Sequence, residues 1–186
     1  MTGTAEELPA VTFADFLRSE ERAARRHEYV GGRVYVMAGG SERHELVTGL
    51  VYEALAAGAR TAGCRPFLGN RLVRAGEAAY YPDILVVCAP AADRLYETDA
   101  SLIVEVLSPS TESTDRREKT AAYATLSSMG LYVLVDPQRR RLEVAQVKDG
   151  RATWQVFGAG GVVPTRYGTL VVDDLYDVLD ASATTP

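Results

Sequence analysis

With 186 residues, 47% of them hydrophobic, the chain suits one compact domain spanning 1–186 with a sizeable core. A formal net charge of -5 argues against a protein that coats duplex nucleic acid indiscriminately, and no apolar run approaches the roughly 18 residues of a membrane-spanning helix. Residues 1–9 lack a signal peptide's apolar stretch, and Cys64 and Cys88 are too few for a disulfide framework, so a reducing, cytoplasmic setting is expected.

In chain order, Thr12 caps a helix running through Phe13, Phe16 and Leu17 to about Arg25. His27 to Val30 and Arg33 to Met37 flank Gly31-Gly32, a two-residue hairpin signal. Ser41 opens a second helix with an apolar stripe of Val47, Leu50, Val51, Ala54 and Leu55, ending near Gly58 or Gly63. Short strands are expected around Leu72 to Arg74 and Ile84 to Val87, followed by a buried strand through Leu102 to Leu107. Ser108 to Thr111 is a loop, and the next helix runs from about Asp115 to Leu126. There Asp115 and Glu118 have capping-box spacing, with Thr114 as a competing cap. Leu131 to Val135 is another buried strand, stopped by Asp136-Pro137. Arg141 to Val147 and Ala152 to Phe157 form a terminal hairpin across Asp149-Gly150. The pattern is an α/β (α+β) mixed sheet flanked by helices, with an extra hairpin at each end. The tails 1–9 and 181–186 are expected to be flexible.

Two carboxylates stand out from this pattern. Glu105 interrupts an otherwise apolar strand, and burying its charge costs several kcal/mol unless a cation or donors replace the lost water. Asp83 follows Tyr81-Pro82 at the start of another buried strand. On adjacent strands both could converge on one hard cation, since magnesium takes oxygen ligands, commonly one or two protein carboxylates plus waters. Lys119 shares a helical stripe with Ala122, Tyr123 and Leu126, which points its ammonium toward the sheet. Two acids and an inward lysine can position a metal, activate water and stabilise a pentavalent phosphate. Each residue also has a plain structural reading. Asp83 would be a turn residue, Glu105 would pair with Arg74 or Arg116, and the Lys119 stem would pack on the core with its head reaching solvent.

Pro82-Asp83 followed by Glu105-Val106-Leu107 resembles the PD-(D/E)XK nuclease superfamily. More narrowly, His27 to Arg33, Met37 to His44, Tyr81 to Asp83, Leu102 to Thr111, Lys119 to Tyr123 and Tyr132 to Pro137 resemble the Uma-type family of restriction endonucleases. The match covers roughly residues 12 to 145, the expected core, and Glu105 to Thr111 is its most distinctive piece. The resemblance implies a restriction-endonuclease-like fold and magnesium-dependent (or manganese-dependent) hydrolysis of DNA phosphodiesters. Asp83, Glu105 and the Val106 carbonyl would be the metal ligands. Where the superfamily carries its lysine two positions after the acid, this chain has Leu107; in the Uma-type family the lysine lies on the following helix, which fits Lys119. Glu28 matches an early glutamate of the family's hairpin and stands as a third acid. His44, in the first turn of the second helix, could touch phosphate or water.

Other signals are weaker. Ser108, Ser110 and Thr111 lack a nucleophile elbow, Arg139-Arg140-Arg141 reads as a solvated turn, and neither cysteine has zinc-ligand company. The leading expectation is therefore a magnesium-dependent endonuclease acting on DNA, assembled as a homodimer. The rival is a binding or assembly protein that keeps the nuclease fold without turnover.

Overall fold

Thr12 accepts a hydrogen bond from the Asp15 amide and so starts α1 (Phe13–Glu20), which is shorter than its apolar stripe predicts. The computed structural model describes residues 10–37, 39–91, 93–108 and 112–182. Gly31 and Gly32, both at positive φ, close the hairpin of β1 (His27–Val30) and β2 (Arg33–Val36). Ser41 caps α2 (Glu42–Thr61), whose residues Val47, Val51, Leu55 and Ala59 are fully buried at four-residue intervals.

Then follow β3 (Arg65–Leu68), β4 (Leu72–Ala75), β5 (Ala78–Tyr80), β6 (Ile84–Val87), β7 (Tyr96–Glu97) and β8 (Leu102–Val106). A broken helix comes next: α3 (Glu112–Thr114), a π-helical turn (Asp115–Lys119) and α4 (Thr120–Tyr123). After β9 (Leu131–Val135) the chain forms two hairpins. The first, β10 (Leu142–Lys148) with β11 (Arg151–Phe157), is the expected one. It is not terminal, because β12 (Val162–Thr165), β13 (Gly168–Val171) and α5 (Val172–Ser182) follow it. α5 buries Val172, Leu175, Tyr176 and Leu179 and runs to Ser182.

The strands form a six-stranded sheet ordered β11-β10-β9-β8-β6-β3 and a five-stranded sheet ordered β2-β1-β5-β4-β7. In the larger sheet only β8 and β9 run parallel, joined by the broken helix as a crossover. One face of this sheet packs against α2, α5 and the β12–β13 hairpin. On the other, Leu85, Ile103 and Leu134 pack with Tyr123 of α4 and with Val73 and Tyr80 of the smaller sheet. Helix α1 covers the far side of the smaller sheet through Phe16 and Tyr29. The hairpin β12–β13 comes so close to α2 that a Cβ on Gly58 would stand 1.9 Å from the Tyr167 carbonyl oxygen.

Cys64 and Cys88 are joined in a disulfide, which corrects the expectation of two unpaired thiols. The reason is the register. Arg65 lies opposite Val87 in the antiparallel β3–β6 ladder, so the next pair outward is Cys64 and Cys88, with their Cα atoms 4.1 Å apart. No helix among the described residues is long and apolar enough to cross a membrane.

Candidate active site

The register that packs the core also places the acids. Ile84 pairs with Val104 in the antiparallel β6–β8 ladder, so Asp83, one residue before, falls opposite Glu105. Strand alternation then puts both on the face that carries Leu85 and Ile103. Asp83 Oδ2 accepts a 2.7 Å hydrogen bond from the Val106 amide, which ties the two strands together at the site.

Glu105 is 3% exposed. Its Oε1 accepts from Tyr123 Oη at 2.8 Å and from Lys119 Nζ at 3.1 Å. Neither Arg74 nor Arg116 partners it, as the purely structural reading required. Arg74 lies over the Phe13 ring, and Arg116 pairs with Glu112 and Glu143.

Lys119 turns inward as its stripe predicts and is as buried as Glu105. Its ammonium meets Glu28 Oε1 at 3.0 Å, Asp115 Oδ1 at 3.0 Å and Glu105 Oε1 at 3.1 Å, with the Tyr80 ring 5.4 Å away. Glu28 reaches it from β1, so the lysine bridges the two sheets. Asp115 is the residue that sequence reasoning missed. It is not a helix cap: it is 1% exposed and faces Lys119, while its carbonyl accepts from Tyr132 Oη at 3.1 Å. Its position four residues before an inward lysine on the same helix face was the available signal. The π-helical turn carries both residues, and such turns are often found where a helix must present side chains at a functional site.

His44 Nε2 stands 3.4 Å from Asp83 Oδ2 at the start of α2. Its position depends on Gly40, where a Cβ would lie 2.7 Å from His44 Nδ1. All five expected side chains, Asp83, Glu105, Lys119, Glu28 and His44, therefore gather in one cluster. Val106 lies there too, its amide donating to Asp83. Of the motif Glu105 to Thr111, residues 109–111, including Ser110 and Thr111, lie outside the described residues.

Electrostatics follow from burial. Burial pushes Glu105 well above the usual carboxylate range; Lys119 opposes this, and Asp115, Asp83 and Glu28 add to it. Glu28 is raised for the same first reason. Burial alone would strip the proton from Lys119, but Glu105, Glu28 and Asp115 together outweigh it and hold the ammonium charged well above the ordinary lysine range. The hydrogen bond to Asp83 raises the proton affinity of His44 against the effect of its burial. Burial lifts Tyr123 and Tyr132 well above 10, so both remain neutral donors.

The cluster thus sets three carboxylates, Glu28, Glu105 and Asp115, around one ammonium, with the fourth, Asp83, beside them on the Val106 amide. Among the described residues no three His, Cys, Asp or Glu side chains converge into a ready-made metal cluster. Magnesium does not need one, because one or two carboxylates plus waters suffice. An all-oxygen donor set and a surplus of buried negative charge fit a hard divalent cation.

A model of the Uma2 family, described as "Putative restriction endonuclease", matches residues 13–168. Two uncharacterized proteins of Synechocystis sp. are similar. Protein slr1290 is 29% identical over 146 residues, covering 76% of this chain and 77% of that one. Protein sll1609 is 29% identical over 150 residues, covering 77% and 84%. Among solved structures, a chain described as a putative nuclease belonging to DUF820, from Anabaena variabilis, superimposes with a TM-score of 0.70 at 17% identity. The match covers 88% of this chain and 98% of that one, a likeness of fold.

Proposed function

Since the chain belongs to the Uma2 family of restriction-endonuclease-like proteins, we propose that it is a magnesium-dependent endonuclease that hydrolyses DNA phosphodiester bonds. The observation that carries this reading is the buried Lys119 ammonium held between Glu105 and Glu28 beside Asp83. Burying four acids and a lysine together carries a desolvation cost that stability alone does not repay.

Asp83 and Glu105 would hold the metal, with the Val106 carbonyl as a further oxygen ligand. Magnesium (or manganese) bound there supplies a Lewis acid that polarises the phosphoryl oxygen and acidifies a bound water. Lys119, charged throughout, is suited to orient the attacking water and to offset the negative charge that builds on the pentavalent phosphorus. It is not suited to act as a base. Glu28 fixes the ammonium from the opposite sheet. His44 reaches phosphate or water from the start of α2, with Asp83 orienting its ring. Tyr123 supplies a neutral donor that keeps the Glu105 carboxylate in one rotamer.

Cutting both strands of a duplex requires two sites of opposite orientation, which a two-fold dimer supplies; a monomer would nick. The proposed DNA substrate is consistent with a cytoplasmic setting, where thiol reductants would act on the Cys64–Cys88 bond, so assays belong both with and without reductant.

The test is cleavage of supercoiled, linear and single-stranded DNA with magnesium or manganese, alongside thermal melts. The metal should raise the melting temperature by mass action. Asp83→Asn and Glu105→Gln should abolish both the shift and the cleavage. If both variants respond to metal like the parent, these two residues are not the ligands. Tight, metal-independent DNA binding with no cleavage of any form would identify the non-catalytic binder instead.

A further inference from the structure

We infer that Tyr35 is a stacking platform for an unpaired nucleobase next to the scissile phosphate, and that the enzyme acts on single-stranded or locally opened DNA. The inference rests on the nuclease reading above and assigns it a substrate class.

The argument begins with the β1–β2 register, in which Glu28 lies directly opposite Tyr35. Opposed residues of an antiparallel pair project to the same face, with Cβ atoms about 5 Å apart. Which face this is follows from the neighbours. Tyr29 points the other way, into the cluster under α1, while Glu28 meets Lys119 and Val30 packs with the core beside the site. Tyr35 therefore stands on the site's own face, one strand out from Glu28. Because β2 is an edge strand, nothing further extends the sheet over it, and the Tyr35 side chain remains 48% exposed.

An aromatic ring half open to solvent beside the proposed metal and phosphate site has a chemical use. Every base offers a π-face to such a ring, but in a duplex those faces are occupied by neighbouring bases; only an unpaired or extruded base is free to stack. The charge balance points the same way. Arg116, Arg140 and Arg141 are engaged by carboxylates of the chain itself, and the net charge is -5. Attraction to the phosphate backbone is therefore weak, and affinity must come from elsewhere. Stacking at the rim supplies it without cationic side chains.

The experiment compares the parent, Tyr35→Ala and Tyr35→Phe on three magnesium-supplemented substrates: a single-stranded oligonucleotide, the matching duplex, and that duplex with a central unpaired bulge. The expected result is preference for the single strand and the bulge. Tyr35→Ala should raise KM on these about tenfold while kcat stays within about twofold, as the loss of one base stack predicts. Tyr35→Phe should restore KM, since the π-face and not the hydroxyl does the binding. Sedimentation velocity on all three proteins completes the set. Cleavage with KM unchanged in Tyr35→Ala, or a preference of the parent for the intact duplex, overturns the inference and leaves the nuclease reading standing. So does a change of oligomeric state in Tyr35→Ala, which would make the residue a contact between copies. No cleavage of any substrate by the parent defeats both.

Discussion

Replacing Glu105 by Gln should make the metal-free protein more stable, although Glu105 is hydrogen-bonded and ion-paired. At the 3.1 Å contact with Lys119 and an effective dielectric of about 20, the attraction lost is about 5 kcal/mol. Glu28 and Asp115 sit 3.0 Å from the same ammonium, so along its separate N–H directions their oxygens lie about 5 Å from that of Glu105. Each repulsion relieved is then about 3 kcal/mol, and the two together cancel the lost attraction. What remains is the desolvation of the carboxylate, several kcal/mol, part of which the buried amide retains. Removing one member of a buried pair usually strands the other; here Lys119 keeps two carboxylates. The net expectation is a gain of about 1–3 kcal/mol, or about 3–8 °C in melting temperature for a chain of this length. The gain must also depend on pH. Burial raises the folded-state pKa of Glu105 above its unfolded value, so the native state binds more protons in that window and the parent loses stability as pH rises from about 4.5 through the raised pKa. The variant lacks this loss, so the difference between the two should be small near pH 4 and largest above neutrality. Calorimetry in EDTA across that range measures it. A Glu105→Gln protein less stable than the parent at pH 7.5 would refute the argument that surplus negative charge burdens the site.

Lys119→Met should do the reverse: it leaves Glu28, Glu105 and Asp115 without their common cation and should cost about 3–5 kcal/mol in denaturant titration at pH 7, with much of the loss recovered at low pH as the acids protonate. Gly58→Ala should be severely destabilising, by more than about 3 kcal/mol in the same titration, because the new methyl meets the backbone of Tyr167 and not a side chain that can swing away. Gly40→Ala meets only side-chain atoms of His44 and Glu45, so it should leave the melting temperature within about 2 °C of the parent while lowering kcat through a displaced imidazole. Reducing the Cys64–Cys88 bond, which spans a sequence separation of 24, should lower stability by up to about 3.5 kcal/mol on the loop-entropy account, read by melts with and without reductant.

The elements that the sequence announced are those whose local chemistry and burial agree. Gly31-Gly32 and Asp149-Gly150 set hairpins through positive φ, Thr12 and Ser41 cap their helices, and the apolar runs through Glu105 and Leu134 are sheet centres. The strands it concealed are stabilised by neighbours and not by propensity. β3 contains Pro66, which an edge strand tolerates, and β5 is largely alanine, with its partners on both sides supplying the ladder. Helix α5 carries a clear stripe of Val172, Leu175, Tyr176 and Leu179, yet no element is expected from the sequence beyond the hairpin that ends at Phe157. At the site, Asp83, Glu105 and Lys119 were legible because a charge within an apolar pattern needs a reason. Asp115 was passed over because its spacing to Glu118 mimics a capping box, although it stands four residues before the inward Lys119 on the same helix face. The cysteine pair was hidden because cross-strand register, and not cysteine count, brings the two sulfurs together.

The Lys119 bridge between the sheets also bears on how the molecule assembles. Glu28 belongs to one sheet and Glu105 to the other, so the ion pairs close only when the sheets dock. Before docking, each of these charges is hydrated; the step that expels that water is uphill until the geometry is complete, which makes it a candidate for the slow phase of folding. A hairpin docked one residue out of register would bury Glu28 on the wrong face with no ammonium to meet it, and such a misfold would be disfavoured by the same desolvation cost. The groups proposed to cut DNA would thus also check the folding: in a chain whose sheets have not closed correctly, no site exists.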